Sequence, residues 1–120
     1  MESTGSYQLS GTYHVSLLNR NKTSKDREIS FEISEANQSI KGTTSCNSFF
    51  GAITTEGNSF RITELNISEN YCDDEVLKTE QSLMRAFNSV ASYLLKKETL
   101  SFFSDPDHGL ILKAVKDTIQ

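Results

Sequence analysis

Proline occurs once in this chain, histidine and cysteine twice each and glycine six times. No stretch comes near the roughly 18 consecutive apolar residues that a membrane-crossing helix requires, so no transmembrane segment is expected. So little proline and glycine rules out a collagen-like or low-complexity chain. The two histidines, His14 and His108, offer little for general acid–base chemistry near neutral pH. A Gly-x-Ser-x-Gly elbow, which would prepare a serine nucleophile, is missing. The cysteines stand 26 positions apart, far from a CxxC spacing, and no third or fourth soft ligand accompanies them in a zinc pattern. Basic charge is not in excess either: the net charge is −4, which repels polyanions. Arg20, Lys22, Lys25 and Arg27 lie among Asn, Ser, Thr and Asp with no aromatic for base stacking, and read as a solvated loop. Asp105, Asp107 and His108, and separately Asp73, Asp74 and Glu75, lack a full calcium-loop pattern and read as a turn and a helix start. The expectation is therefore no catalytic residues, no cofactor, no metal and no nucleic acid.

What is present is alternation. A chain of 120 residues supports one hydrophobic core, and seven Phe with four Tyr supply large side chains to fill it. Tyr13, Val15 and Leu17 alternate with His14 and Ser16, and Ile29, Phe31 and Ile33 with Ser30 and Glu32, the period of a half-buried strand. Residues 19–26 suit a loop and 35–38 a hairpin turn before a third strand near 39–44. Phe49 or Phe50 with Ile53 begins another strand, a tight turn follows at 56–58, and Phe60 with Ile62 continues beyond it. Leu65 and Ile67 read as a further short strand. The acidic run 73–75 then starts a helix, where carboxylates complement the positive end of the dipole. Leu83, Phe87, Val90 and Leu94, with Met84 and Ala91 alongside, form an apolar stripe at helical spacing. A closing hairpin carries Leu100, Phe102, Leu110 and Leu112 around a turn at 105–109. Seven or eight short strands with one helix before the last of them imply an antiparallel barrel, since closure removes exposed sheet edges. Residues 1–10 read as a flexible spacer and 11–120 as a single domain.

Cys46 and Cys72 form a disulfide if the protein is exported, worth roughly 3–4 kcal/mol for a loop of this size, and are buried thiols if it is cytosolic. Gly42 and Gly51 flank Cys46 and allow bulges, corners or close backbone approach, and Asn47 suits bridging of turn backbone. Phe31, Phe49, Phe50, Phe60, Phe87 and Phe102 are expected in the core.

Residues 40–51, Ile-Lys-Gly-Thr-Thr-Ser-Cys-Asn-Ser-Phe-Phe-Gly, resemble the Gly-x-x-Gly-Cys-Asn-x-(aromatic)-x-Gly pattern of the META domain family, which includes HslJ-like heat-shock proteins. Gly11-Thr12-Tyr13 is similar to the family's Gly-Thr-Trp opening, Cys72 falls at the second family cysteine, and residues 83–100 resemble its helix and Leu-rich strand. Ser45 stands where a glycine is usual, and residues 68–72 lack the Thr-Thr-x-Met-Ala-Cys pattern. The resemblance implies a small lipocalin-like barrel, mainly β with one helix, exported to the cell envelope of a bacterium and often carried as a lipoprotein behind a signal segment. It brings links to heat shock and stress tolerance and no catalytic residues. The reading is a non-enzymatic monomer that binds an unknown envelope component. The alternative is a carrier whose barrel encloses an apolar small molecule.

Overall fold

The computed structural model describes residues 9–18, 21–22, 29–44, 46–104 and 109–117, with backbone alone at 21–22. The elements in chain order are β1 (Gly11–Leu18), the two-residue β2 (Asn21–Lys22), β3 (Ser30–Ser34), β4 (Ser39–Thr43), β5 (Ser48–Glu56), β6 (Ser59–Ile67), α1 (Asp74–Ser89), β7 (Val90–Lys96), β8 (Thr99–Ser104) and β9 (Leu110–Lys116). Every pairing is antiparallel, and strands from β3 to β9 each lie beside their neighbours in sequence. The circle closes where β1 pairs with β9, from Tyr13↔Lys116 to Leu18↔Leu112, while β1 meets β3 on its other edge. The result is an eight-stranded closed barrel with β2 as a side pairing at Leu17 and Leu18. The junction of β6 with β7 is the thinnest: one residue pair, Ser59↔Ser92, and a hydrogen bond from the Tyr93 N–H to the Asn58 carbonyl at 2.9 Å. The chain leaves the sheet at this junction to make α1 before returning.

Alternation delivers the core as read, except in β1, where a register shift between Val15 and Leu17 buries Leu18 and leaves Leu17, expected inward, half-buried. Tyr13, Val15, Phe31, Ile33, Ile40, Phe49, Ile53, Phe60, Leu100, Phe102, Leu112 and Ala114 are all buried. The helix contributes Leu83, Ala86 and Phe87 from one face. The Phe87 ring lies 5.3 Å from Phe49, 5.9 Å edge-on to Phe31 and 6.4 Å from Phe102. Phe31 stacks on Tyr13 and Phe102, and Phe102 lies 4.8 Å from Phe60. The rings that a carrier would need as cavity walls thus commit their faces to one another.

Two glycines turn the sheet near Cys46. A Cβ on Gly42 would sit 2.1 Å from the Ser30 carbonyl oxygen and 2.7 Å from the Phe31 Cα, so β4 rides directly over the β3 backbone there. Opposite Gly51, β6 carries an extra residue, with Glu64 in the left-handed region at φ 54°. That bulge shifts the phase of alternation. It explains why Phe60 with Ile62 and Leu65 with Ile67, read as two strands, are one.

Four further expectations change. The helix ends at Ser89, since Val90 has ψ 135° and opens β7 by pairing with Ser104. Val90, Ala91 and Leu94 therefore belong to a strand, with Leu94 turned outward at 54% exposure. A four-three-four spacing fits both structures when apolar residues crowd a short segment. Phe50 is 60% exposed rather than in the core, because Phe49 takes the inward position and its neighbour must face out. Leu9, assigned to the spacer, is buried and its carbonyl accepts a 2.6 Å hydrogen bond from the Tyr13 hydroxyl. The loop read at 19–26 contains β2; the remainder of that loop, Ser45, and the turn with Asp105, Asp107 and His108 lie outside the described residues.

Candidate functional site

The end of the barrel that carries Cys46 holds most of the buried polar groups. After β4 the chain turns at Thr44, whose N–H donates to the Asn47 carbonyl at 2.8 Å while the Asn47 N–H donates to Thr44 Oγ1 at 3.0 Å. This closed turn places the Asn47 side chain inward, at 4% exposure. Its amide is fully used. Nδ2 donates to Glu80 Oε2 at 2.8 Å and reaches Cys72 Sγ at 3.4 Å, while Oδ1 accepts from Ser68 Oγ at 2.8 Å and from the Asn70 N–H at 2.7 Å. A backbone N–H can only donate and a carboxylate can accept, so the Asn70 and Glu80 contacts fix which way the amide faces.

Glu80 comes from α1, on the same side as Leu83 and Phe87, and is only 6% exposed. Its Oε2 also accepts from Thr44 Oγ1 at 2.5 Å. Ser68, just past β6, accepts from the Ser48 N–H at 3.0 Å, and the Asn70 amide donates to the Cys46 carbonyl at 3.2 Å. Cys46 and Cys72 are joined in a disulfide with Cα atoms 6.3 Å apart, which fastens the turn to the residue that precedes the helix N-cap, Asp73. Strand end, loop and helix are thereby locked to one another through Asn47.

Of the residues singled out in the sequence, Cys46, Cys72 and Asn47 meet here, with Gly42 and Gly51 shaping the strands that lead in and out. Glu80 was missed. A lone glutamate in a helix gives no sequence signal, and only the inward side of the apolar stripe, three residues before Leu83, could have flagged it. Cys46, Cys72 and Glu80 place ligand atoms within 4.8 Å of one another, but sulfurs joined in a disulfide provide no thiolate for a metal. Thr44 with Glu80 has the outline of a hydroxyl and its base, yet Thr44 is 1% exposed, out of reach of a substrate. His14 lies elsewhere, at the closing seam, with Nε2 3.5 Å from Asp117 Oδ2.

Beside the cluster runs a groove of about 400 Å³ between α1 and the end of β6, lined by Ile67, Ser68, Leu77, Glu80, Met84 and Arg85 among others. A larger depression of about 540 Å³ lies over β3, β4 and β5 near Glu32, Lys41 and Phe50. Its Lys41 and Glu32 are exposed and 3.7 Å apart, a pair that solvent screens. The first groove reaches a buried charge and the second does not. Among the described residues, no helix is long and apolar enough to cross a membrane.

Among the described residues, the fold and the disulfide define a small closed antiparallel barrel with a single helix, of a kind suited to an oxidising, exported compartment. The META domain pattern matches residues 6–117, and the chain belongs to that family. Solved structures share the fold at low identity. A protein from Burkholderia xenovorans studied by NMR has a TM-score of 0.72 at 15% identity, over 92% of this chain and 83% of that one. A DUF4847 family protein from Bacteroides vulgatus ATCC 8482 has a TM-score of 0.68 at 13% identity, over 92% and 95%. A third structure, also by NMR, has a TM-score of 0.67 at 16% identity, over 97% and 96%. No functionally curated protein matches the chain.

Proposed function

We propose that this protein is a non-enzymatic domain of the bacterial cell envelope that supports stress tolerance by binding another envelope component. The observation that carries the reading is the commitment of the polar groups at this end of the barrel: buried Thr44 and Asn47 and exposed Ser68 and Asn70 spend their hydrogen bonds on one another, on backbone and on Glu80. Groups so engaged order a surface rather than turn over a substrate. Membership of the META family and the disulfide support export, and a lipid anchor ahead of the domain accords with the family.

The test is deletion of the gene in the natural host, followed by heat and antibiotic challenge, fractionation and complementation. The expected result is an envelope location and a survival defect restored equally by the wild type and by His14→Ala or His108→Ala. Substrate turnover abolished by either histidine change, or a cytosolic location with free thiols, contradicts the reading.

A further inference from the structure

Glu80 keeps one oxygen free. Oε2 takes the hydrogen bonds from Thr44 and Asn47, whereas Oε1 has no hydrogen-bond or ion-pair partner among the described residues. The residue is 6% exposed and lines the groove beside α1. A carboxylate on a residue this buried gains more from a charged donor than a fully exposed one would, because less solvent screens the contact. Ile67, Leu77 and Met84 supply apolar wall next to it, and Arg85 stands farther along the rim.

We propose that this groove receives a lysine side chain from a partner polypeptide. The ammonium sits on Glu80 Oε1 and the four-carbon stem lies against Ile67, Leu77 and Met84. Three features select that occupant. An arginine fork matches a carboxylate with both oxygens available, and here one is already taken, which favours the point charge of lysine. A calcium ion needs six or more oxygen ligands, while the neighbouring Asn47 Oδ1 is filled by Ser68 and Asn70. Arg85 follows Glu80 by five helical positions, about 7.5 Å along the axis at ~1.5 Å per residue, and lines the groove together with Glu69, so an acidic neighbour of the lysine has a cation to meet there. A peptide pairing Lys with Asp uses both Glu80 and Arg85, which a free diamine cannot. The inference rests on the reading of the domain as a binding module and names the chemistry its partner presents.

The experiment is an NMR titration of the ¹⁵N-labelled, disulfide-bonded protein with the acetylated and amidated peptide Gly-Lys-Asp-Gly. Comparison ligands are the same peptide with norleucine for lysine, and 1,5-diaminopentane. The expected result is saturable shifts at the amides of Ser68, Asn70 and Gln81, at least tenfold weaker binding of both comparison ligands, and at least tenfold weaker binding of Lys-Asp peptide to Glu80→Gln. Should Glu80→Gln fold poorly, Gln81→Lys places a competing ammonium at an exposed helix position on the groove and is expected to weaken binding by the same factor. Equal binding of the norleucine peptide or of the diamine, shifts confined to other surfaces, or no saturation overturns the proposal. Such a failure alongside an intact envelope location and survival phenotype removes the lysine assignment alone, since the broader reading is decided by the host experiment.

Discussion

The Asn47 side-chain nitrogen stands 2.8 Å from Glu80 Oε2 across 33 positions of sequence, and this one contact joins the turn that carries Cys46 to the face of α1 that plugs the barrel. Around it the disulfide, Ser68 and Asn70 act on the same three segments. The cluster therefore behaves as a unit whose parts are testable separately.

The Cys46→Ser, Cys72→Ser double variant is expected to lose roughly 3–4 kcal/mol, as closing a loop of this length restricts the unfolded chain. Urea unfolding of the oxidised wild type against the variant measures it. Alkylation of the unreduced protein is expected to add no mass. Equal midpoints would show that the bridge does not constrain the chain.

Gly42→Ala and Gly57→Ala separate two uses of glycine. The first drives a methyl into the Ser30 carbonyl and Phe31 Cα, backbone that cannot step aside, and is expected to cost about 3 kcal/mol or more. The second meets nothing within 4 Å, and at φ 61° carries only the left-handed penalty of about 1–2 kcal/mol. Thermal unfolding of both proteins is the check, and the order of their midpoints is the prediction.

Tyr13 gives a pH dependence with a definite sign. Burial holds its hydroxyl protonated well above the usual phenol range, helped by the negative charge of Glu35 and by Tyr93. The unfolded chain releases this proton near pH 10, so the stability contributed is fully present below about pH 10 and is lost above it as pH rises toward the folded-state value. Stability is expected to fall by up to about 1.4 kcal/mol per pH unit there from this group. Tyr13→Phe removes that component and, by deleting the hydrogen bond to Leu9, costs about 1 kcal/mol at pH 7. A wild-type and variant pair with parallel alkaline unfolding curves would count against it.

Phe87→Ala is expected to cost about 3–5 kcal/mol, and Phe50→Ser to stay within about 0.5 kcal/mol, although both residues look alike in sequence. Chemical unfolding of the two variants discriminates the plug from the exposed ring.

That last pair shows what the sequence carries and what it does not. Period-two alternation made β3, the barrel and β1 as far as Val15 legible, because one buried face forces it, while the shift after Val15 that turns Leu18 inward left no mark in the sequence. Adjacent aromatics at Phe49 and Phe50 erase the parity and leave the choice to the sheet. The bulge at Glu64 breaks the phase within β6, and Val90 to Leu94 satisfy a helical stripe while pairing with β8 decides for strand. The disulfide partners and Asn47 stood out as residue types. Glu80 did not, since its role comes from a contact 33 positions away that no local pattern records.

A double-mutant cycle on Asn47→Ala and Glu80→Ala, read by urea unfolding of the oxidised protein, addresses the lock between loop and helix most directly. A coupling energy of about 1 kcal/mol or more is predicted, because each single change leaves a buried polar partner unpaired and the second change relieves it. Additivity within about 0.3 kcal/mol would mean that the two residues do not hold the barrel end together, and would contradict the account.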